Sequence, residues 1–173
     1  MDLRIKKTKA AVKEAFLQLR NNQPLEQVKV KDLCEMAMIN KTTFYKHYED
    51  VYALSNELEQ EAVGLVLADF EAKDQILQNP VLFLGQLPGA LDAKRDILYP
   101  LFHDNLDKFF SLLEKELKNV CFSEEKTEEE DILLTFAIGG ALHTMRTLKF
   151  ERHCDDEVLM KKLSVILRKI NEL

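Results

Sequence analysis

The segment from residue 28 to residue 54 restricts the possible folds more than any other part of the chain. Val30, Leu33, Cys34 and Ala37 recur at i, i+3, i+4 and i+7, which puts one apolar stripe on a short helix. The pattern then breaks at Met38 and Ile39. Asn40, a good N-cap, opens a second short helix over residues 41–48, whose large inward-facing side chains are Phe44 and Tyr48, four apart. Two short helices joined by a tight turn predict a helix-turn-helix.

Stepping about 100° per residue around the second helix gives its outer face. With Phe44 and Tyr48 inward, Thr42 and Lys46 point the opposite way, flanked by Tyr45 on one side and by Thr43 and His47 on the other. Acids outnumber bases 30 to 24 in the whole chain, yet none falls between Lys41 and Tyr48. A surface that approaches phosphates excludes carboxylates, and this one carries hydroxyls and cations instead. Lys41, Thr42, Tyr45 and Lys46 are the expected base-edge contacts, with Thr43 and His47 nearer the phosphates. A plain solvated helix is the competing account of the same residues.

From about residue 8 to residue 54 the spaced pattern V-x-V-x-x-L-x-x-x-A-x-I-N-x-x-T-F-Y-x-H-Y, followed by an Asp-led helix, resembles the TetR family of bacterial transcription regulators. The resemblance implies an all-α fold: an N-terminal three-helix DNA-binding domain over residues 1–50, then a helical bundle over 51–173 that senses a ligand and dimerises. It implies a homodimer on a palindromic operator in double-stranded DNA, most often a repressor released by a small-molecule effector, with no catalysis and no cofactor. The fourth helix would link the DNA-reading head to the body, so that its tilt changes the separation of two heads. Three positions depart from the family pattern. Lys29 stands where Thr or Ser usually caps the second helix, Met38 replaces the usual Gly of the turn, and Val51 replaces a frequent Lys. A left-handed Met38 would cost about 1 kcal/mol. These departures keep a rival in view, a helical protein-binding adaptor that no longer reads DNA.

Composition agrees with an all-helical chain. Five glycines, four prolines and no tryptophan accompany long stretches of Leu, Glu, Lys and Ala, and strand signals are nearly absent. The net charge of −6 conceals a split: residues 1–50 hold ten Lys or Arg against seven Asp or Glu, whereas residues 51–173 hold fourteen against twenty-three. Local basicity attracts nucleic acid to one end while overall acidity repels it elsewhere. Cys34, Cys121 and Cys154 form no CxxC pair, the N-terminus is charged, and no run approaches the roughly 20 apolar residues of a membrane span. A cytoplasmic protein with no membrane partner is expected.

Residues 3–9 read as a basic arm ahead of a first helix capped by Thr8. The arm is either a solubilising tail or, through Arg4, Lys6 and Lys7, a segment that lies along phosphates or enters an adjoining minor groove; Lys9 and Lys31 join Arg4 as expected DNA contacts. Val12, Ala15, Phe16 and Leu19 stripe the first helix as far as Asn21, so Phe16, Leu33 and Phe44 form the expected core of the head. Asp50 caps a fourth helix in which Val51, Leu54, Leu58, Ala62 and Leu65 continue a stripe to about residue 71.

Beyond residue 73 the resemblance weakens and helical patterning alone marks the elements. Asn79 and Pro80 open an apolar segment interrupted by Gly85, Pro88 and Gly89; residues 96–102 lead into a helix over 105–121 striped by Leu106, Phe109, Phe110, Leu113 and Leu117. Phe83, Tyr99, Phe102, His103, Phe109, Phe110, Phe136 and His143 are either ordinary core or, jointly, the lining of a pocket for a small effector. After an acidic run at residues 124–131 comes a helix over 132–150 with Gly139 and Gly140 adjacent, a pairing that costs about 1 kcal/mol per glycine unless another backbone approaches closely. The last helix, over 155–173, carries Leu159, Leu163, Ile166 and Ile170 on one stripe. These two helices form the expected four-helix dimer interface, a monomeric core being the alternative.

Enzyme and metal chemistry find little support. No HExxH, paired ExxH, nucleophile elbow, phosphate loop or dinucleotide fingerprint occurs. His103 with Asp104 and Asp107, or His153 with Cys154, Asp155 and Asp156, are sequence neighbours that point apart on a helix and make poor ligand sets.

Overall fold

The computed structural model describes residues 3–121 and 127–172. Among them are nine α-helices and no strand: α1 (Leu3–Arg20), α2 (Val30–Met36), α3 (Lys41–Tyr45), α4 (Val51–Ala68), α5 (Pro80–Asp92), α6 (Arg95–Phe102), α7 (Leu106–Cys121), α8 (Glu128–Met145) and α9 (Asp156–Asn171). A 3-10 turn, Leu25–Gln27, precedes α2, and a π-helical turn, Arg146–Glu151, continues α8. The chain divides into two compact units, Met1–Ala62 with Arg95–Leu106, and Val63–Lys94 with Asp107–Leu173.

In the first unit the apolar stripes of α1, α2 and α3 meet as their spacing requires. Val12, Phe16, Leu33, Phe44 and Leu54 are wholly buried. Two boundaries differ from the sequence reading. Residues 3–9 are the opening turns of α1 and not an arm ahead of it. The run L-R-I-K-K-T-K-A-A has no helix breaker, and Lys9 and Lys13 find acidic partners on α4, so nothing stops the helix at Thr8. At the other end, α3 closes at Tyr45, three residues early, and the amides of His47 and Tyr48 both turn back to the Phe44 carbonyl.

The larger difference lies in α6. The family resemblance implies a boundary at residue 50 with α6 in the C-terminal bundle, but the first unit runs on through Ala62 and takes in Arg95–Leu106. Arg20, the last residue of α1, is 1% exposed. Its guanidinium donates to Asp104 Oδ1 at 2.7 Å, to the Gln23 carbonyl at 3.0 Å and to the Leu101 carbonyl at 3.4 Å. A buried cation requires a counter-charge, and the residues that follow α6 supply it. Burial pushes the Asp104 carboxyl upward, but the Arg20 hydrogen bond and charge outweigh it and hold the group below the ordinary carboxylate range.

In the second unit, α5 packs on α9, and α8 on α9. Phe70 meets Phe83 at 5.1 Å between ring centroids. α7 buries Phe109, Phe110, Leu113 and Leu117, as its stripe predicts, while Leu106 is exposed. The buried face of α4 shifts beyond Ala62 to Val63, Val66 and Leu67, leaving Leu65 exposed, and the helix ends at Ala68. Asn79 caps α5, accepting from the Leu82 amide at 3.2 Å, and Pro88 sits inside that helix. Thr127 and Glu130 form a capping box at the start of α8, whose first turn holds four acids, as the helix dipole favours. Residues 122–126, which include the start of the acidic run, lie outside the described residues.

Candidate nucleic-acid interface

The turn between α2 and α3 is built by backbone geometry. Met38 has φ 52°, the left-handed region. Its amide donates to the Glu35 carbonyl at 3.3 Å, and that of Ile39 to the Cys34 carbonyl at 3.0 Å. That pair of bonds is a Schellman closure, in which glycine normally takes the left-handed place. Met38 occupies it with its side chain 93% exposed, at a cost of about 1 kcal/mol. At the start of α2 the Lys29 side chain makes no capping bond, as its chemistry dictates.

Asn40 then caps α3. Its Oδ1 accepts from the Thr43 amide at 2.7 Å and from the Thr43 hydroxyl at 2.9 Å. Phe44 and Tyr48 are buried, and Lys41, Thr42, Tyr45 and Lys46 are exposed together on the outer side. Thr43 and His47 are half-buried at its edge. The Tyr45 ring stands edge-on to Phe44 at 5.5 Å, and the residue remains 55% exposed. This face offers hydrogen-bond donors and two cations, with no carboxylate on α3. Asp50 caps α4 through the Ala53 amide at 2.7 Å.

The remaining expected DNA contacts are dispersed. Arg4 is exposed in the opening turn of α1, and Lys31 is exposed on α2, 3.6 Å from Glu35. Lys9 is committed elsewhere: its ammonium pairs with Glu57 at 3.1 Å and stands 5.1 Å over the Tyr48 ring. It belongs to the packing of the first unit, which the sequence could not show because Glu57 lies 48 residues away.

The eight residues expected to line an effector pocket are divided between the two units. Tyr99 and His103 stack on each other at the exposed surface of the first unit, and Phe102 is buried in that unit. Phe83 is core, Phe109 packs against Phe110 at 5.3 Å, and Phe136 is 64% exposed. A cleft of about 190 Å³ does open between α7 and α8, lined by Phe110 and His143 from the expected set. Its other walls are mostly polar: Asp107, Ser111 and Glu114 face Gly139 and Arg146, with Arg146 donating to Asp107 at 2.6 Å. Polar residues at 107, 111 and 114, and again at 143 and 146, repeat at helical spacing, and that was the signal available in the sequence.

Of the residues expected at a dimer interface, Leu159 and Leu163 are buried by their own unit, and Ile170 is half-buried. Ile166 is 52% exposed. A Cβ placed on Gly139 or Gly140 would meet no backbone within 4 Å. Ile132 and Phe136 on α8, with Val158 and Val165 on α9, are exposed apolar side chains that the stripe reading passed over.

No family model matches the chain, and no curated protein matches it. Among solved structures it is similar to the crystal structure of a TetR transcriptional regulator from Streptococcus agalactiae 2603V, with a TM-score of 0.56 over 95% of each chain and 24% identity. The two chains share one fold. The likeness spans both compact units of the TetR-like fold, so it includes the C-terminal helices, where the sequence pattern is least specific. No described helix is long and apolar enough to cross a membrane, and the described residues contain no cluster of three or more His, Cys, Asp or Glu placed to hold a metal ion.

Proposed function

We propose that this chain is a transcriptional regulator of the TetR kind that binds a palindromic operator in double-stranded DNA as a homodimer, in the cytoplasm, and represses until a small molecule releases it. The observation that carries the reading is the outer face of α3, where Lys41, Thr42, Tyr45 and Lys46 are exposed with no acid on the helix, anchored from behind by Phe44 and Tyr48. Lys41, Thr42, Tyr45 and Lys46 contact base edges, while Thr43, His47, Arg4 and Lys31 serve the phosphates. The fold of a solved TetR regulator supports the same conclusion. Exposed Ile132, Phe136, Val158, Val165 and Ile166 on α8 and α9 supply the apolar surface that two subunits would bury. The cleft between α7 and α8 is the place for the effector.

Selection of bound sequences from random duplex DNA tests the reading. A two-fold symmetric motif is expected, and Lys46→Ala should weaken binding to it and lower its salt slope by about one. Recovery of no preferred duplex at low ionic strength would overturn the assignment in favour of a protein-binding adaptor.

A further inference from the structure

Glu57, on α4, is a carboxylate in a unit whose proposed task is to approach phosphates, and three side chains from two other segments converge on it. Lys9 Nζ lies 3.1 Å from Oε1 and 3.2 Å from Oε2, Lys13 Nζ lies 3.2 Å from Oε1, and the Tyr48 hydroxyl donates to Oε1 at 3.1 Å. Lys13 also donates to Glu61, one turn further along α4, at 2.6 Å. The ammonium of Lys9 sits over the Tyr48 ring, closing the cluster.

The protonation states are fixed by the surroundings. Burial pushes the Glu57 carboxyl up, but the hydrogen bonds and charges of Lys9 and Lys13 outweigh it, and the group stays below its ordinary range as an ionised acceptor. Burial, and after it the charge of Glu57, drive the Tyr48 phenol far above its ordinary range, so it remains a donor.

A helix of five residues cannot hold its own orientation. Two buried side chains attach α3 and its closing turn to the rest of the unit, and they differ in kind. Phe44 contributes apolar burial, which resists withdrawal but scarcely resists rotation. Tyr48 contributes a directional bond to a charged acceptor, roughly twice as strong as a neutral one. We propose that Glu57 is a positioning residue: by clasping Tyr48 from α4 and Lys9 and Lys13 from α1, it sets the angle at which α3 presents Lys41, Thr42, Tyr45 and Lys46. The second half of that statement rests on the DNA-binding reading above, and the first half does not.

Two variants in the full chain test the clasp. Glu57→Gln keeps the shape of the side chain and removes its charge; Tyr48→Phe removes the hydroxyl and leaves every charge in place. Amide hydrogen exchange at residues 44–48 should accelerate in both, on the order of tenfold, while amides of α7 and α8 keep their rates. Uniform acceleration across the chain, or none, would overturn the positioning role. On the duplex recovered by selection, electrostatics alone requires Glu57→Gln to bind more tightly, because a negative charge has gone. The clasp requires the opposite sign, a weakening on the order of tenfold, and Tyr48→Phe should weaken binding in the same direction. Equal or tighter binding by both variants would sink the proposed presentation of α3. A wild-type protein that prefers no duplex would overturn the DNA-reading conclusion and the presentation, while the exchange rates still decide the clasp.

Discussion

The two compact units solve the problem of a small core in different ways. In the first, the interior contains polar side chains: Arg20, Ser55 and Glu59 are buried there, Arg20 against Asp104 and Ser55 donating to Glu59 at 2.8 Å. In the second, among the described residues, Ser164 is the one buried polar side chain, and the core is otherwise aliphatic and aromatic. Apolar burial is non-directional and tolerates repacking, whereas charged hydrogen bonds fix angles. The first unit therefore has the chemistry of a part whose surface must be presented in one geometry. The second has that of a part that can adapt, and it leaves large apolar side chains in the open on α8 and α9.

The sharpest way to break this contrast is to truncate one phenylalanine in each unit. Phe44→Ala empties a wholly buried site and should cost about 3–5 kcal/mol, enough to unfold the first unit in a thermal melt. Phe136→Ala, at an exposed site, should change the stability of its unit by less than about 0.5 kcal/mol and instead raise the dissociation constant of the proposed dimer in sedimentation. Equal destabilisation by the two would abolish the distinction.

Next in size is the ion pair. Asp104→Asn strands the Arg20 guanidinium, and because Asp104 is 30% exposed the loss should be about 2–3 kcal/mol, less than the ~3–5 kcal/mol of a fully buried pair. The pH dependence follows from the depressed carboxyl of Asp104. Its contribution is fully present above the unfolded pKa of about 4 and disappears as pH falls through the lower folded value. Urea titrations at pH 6 and pH 3 should show the wild type losing part of this increment and the Asn variant lacking it at both. A variant that melts like the wild type at pH 6 would show the pair to be ornamental.

The smallest effect belongs to the turn. Met38→Gly relieves a left-handed residue whose side chain touches almost nothing and should stabilise the first unit by at most about 1 kcal/mol. A loss of stability on that substitution would mean that the methionine packs in a way its exposure hides.

How legible each region was follows from the range of its interactions. The helix-turn-helix could be read because its determinants are local: the 30, 33, 34, 37 stripe, the Asn40 cap and the inward Phe44 and Tyr48 lie within twenty residues. The membership of α6 could not be read, since the ion pair that recruits it joins residues 84 apart, and helical periodicity carries no information at that distance. Lys9 misled for the same reason. The aromatic residues of the C-terminal half were identified as large and apolar, but spacing alone does not say whether a stripe faces its own unit or solvent, so Phe109 and Phe136 looked alike. On α9 the stripe turned inward at Leu159 and Leu163 but outward at Ile166, and the exposed Val158 and Val165 lay one step around the helix.

Arg20 also bears on how the protein is made. A ribosome that has delivered only α1 to α4 has released a guanidinium meant for an interior site without the anion that belongs beside it, and the loop that must close to supply that anion spans 84 residues. The Arg20 site is thus complete only after Asp104 has emerged from the exit tunnel. For the same reason, excision at residue 62 would yield a fragment whose buried cation lacks its counter-charge, whereas tethering residues 95–106 to it would return the anion.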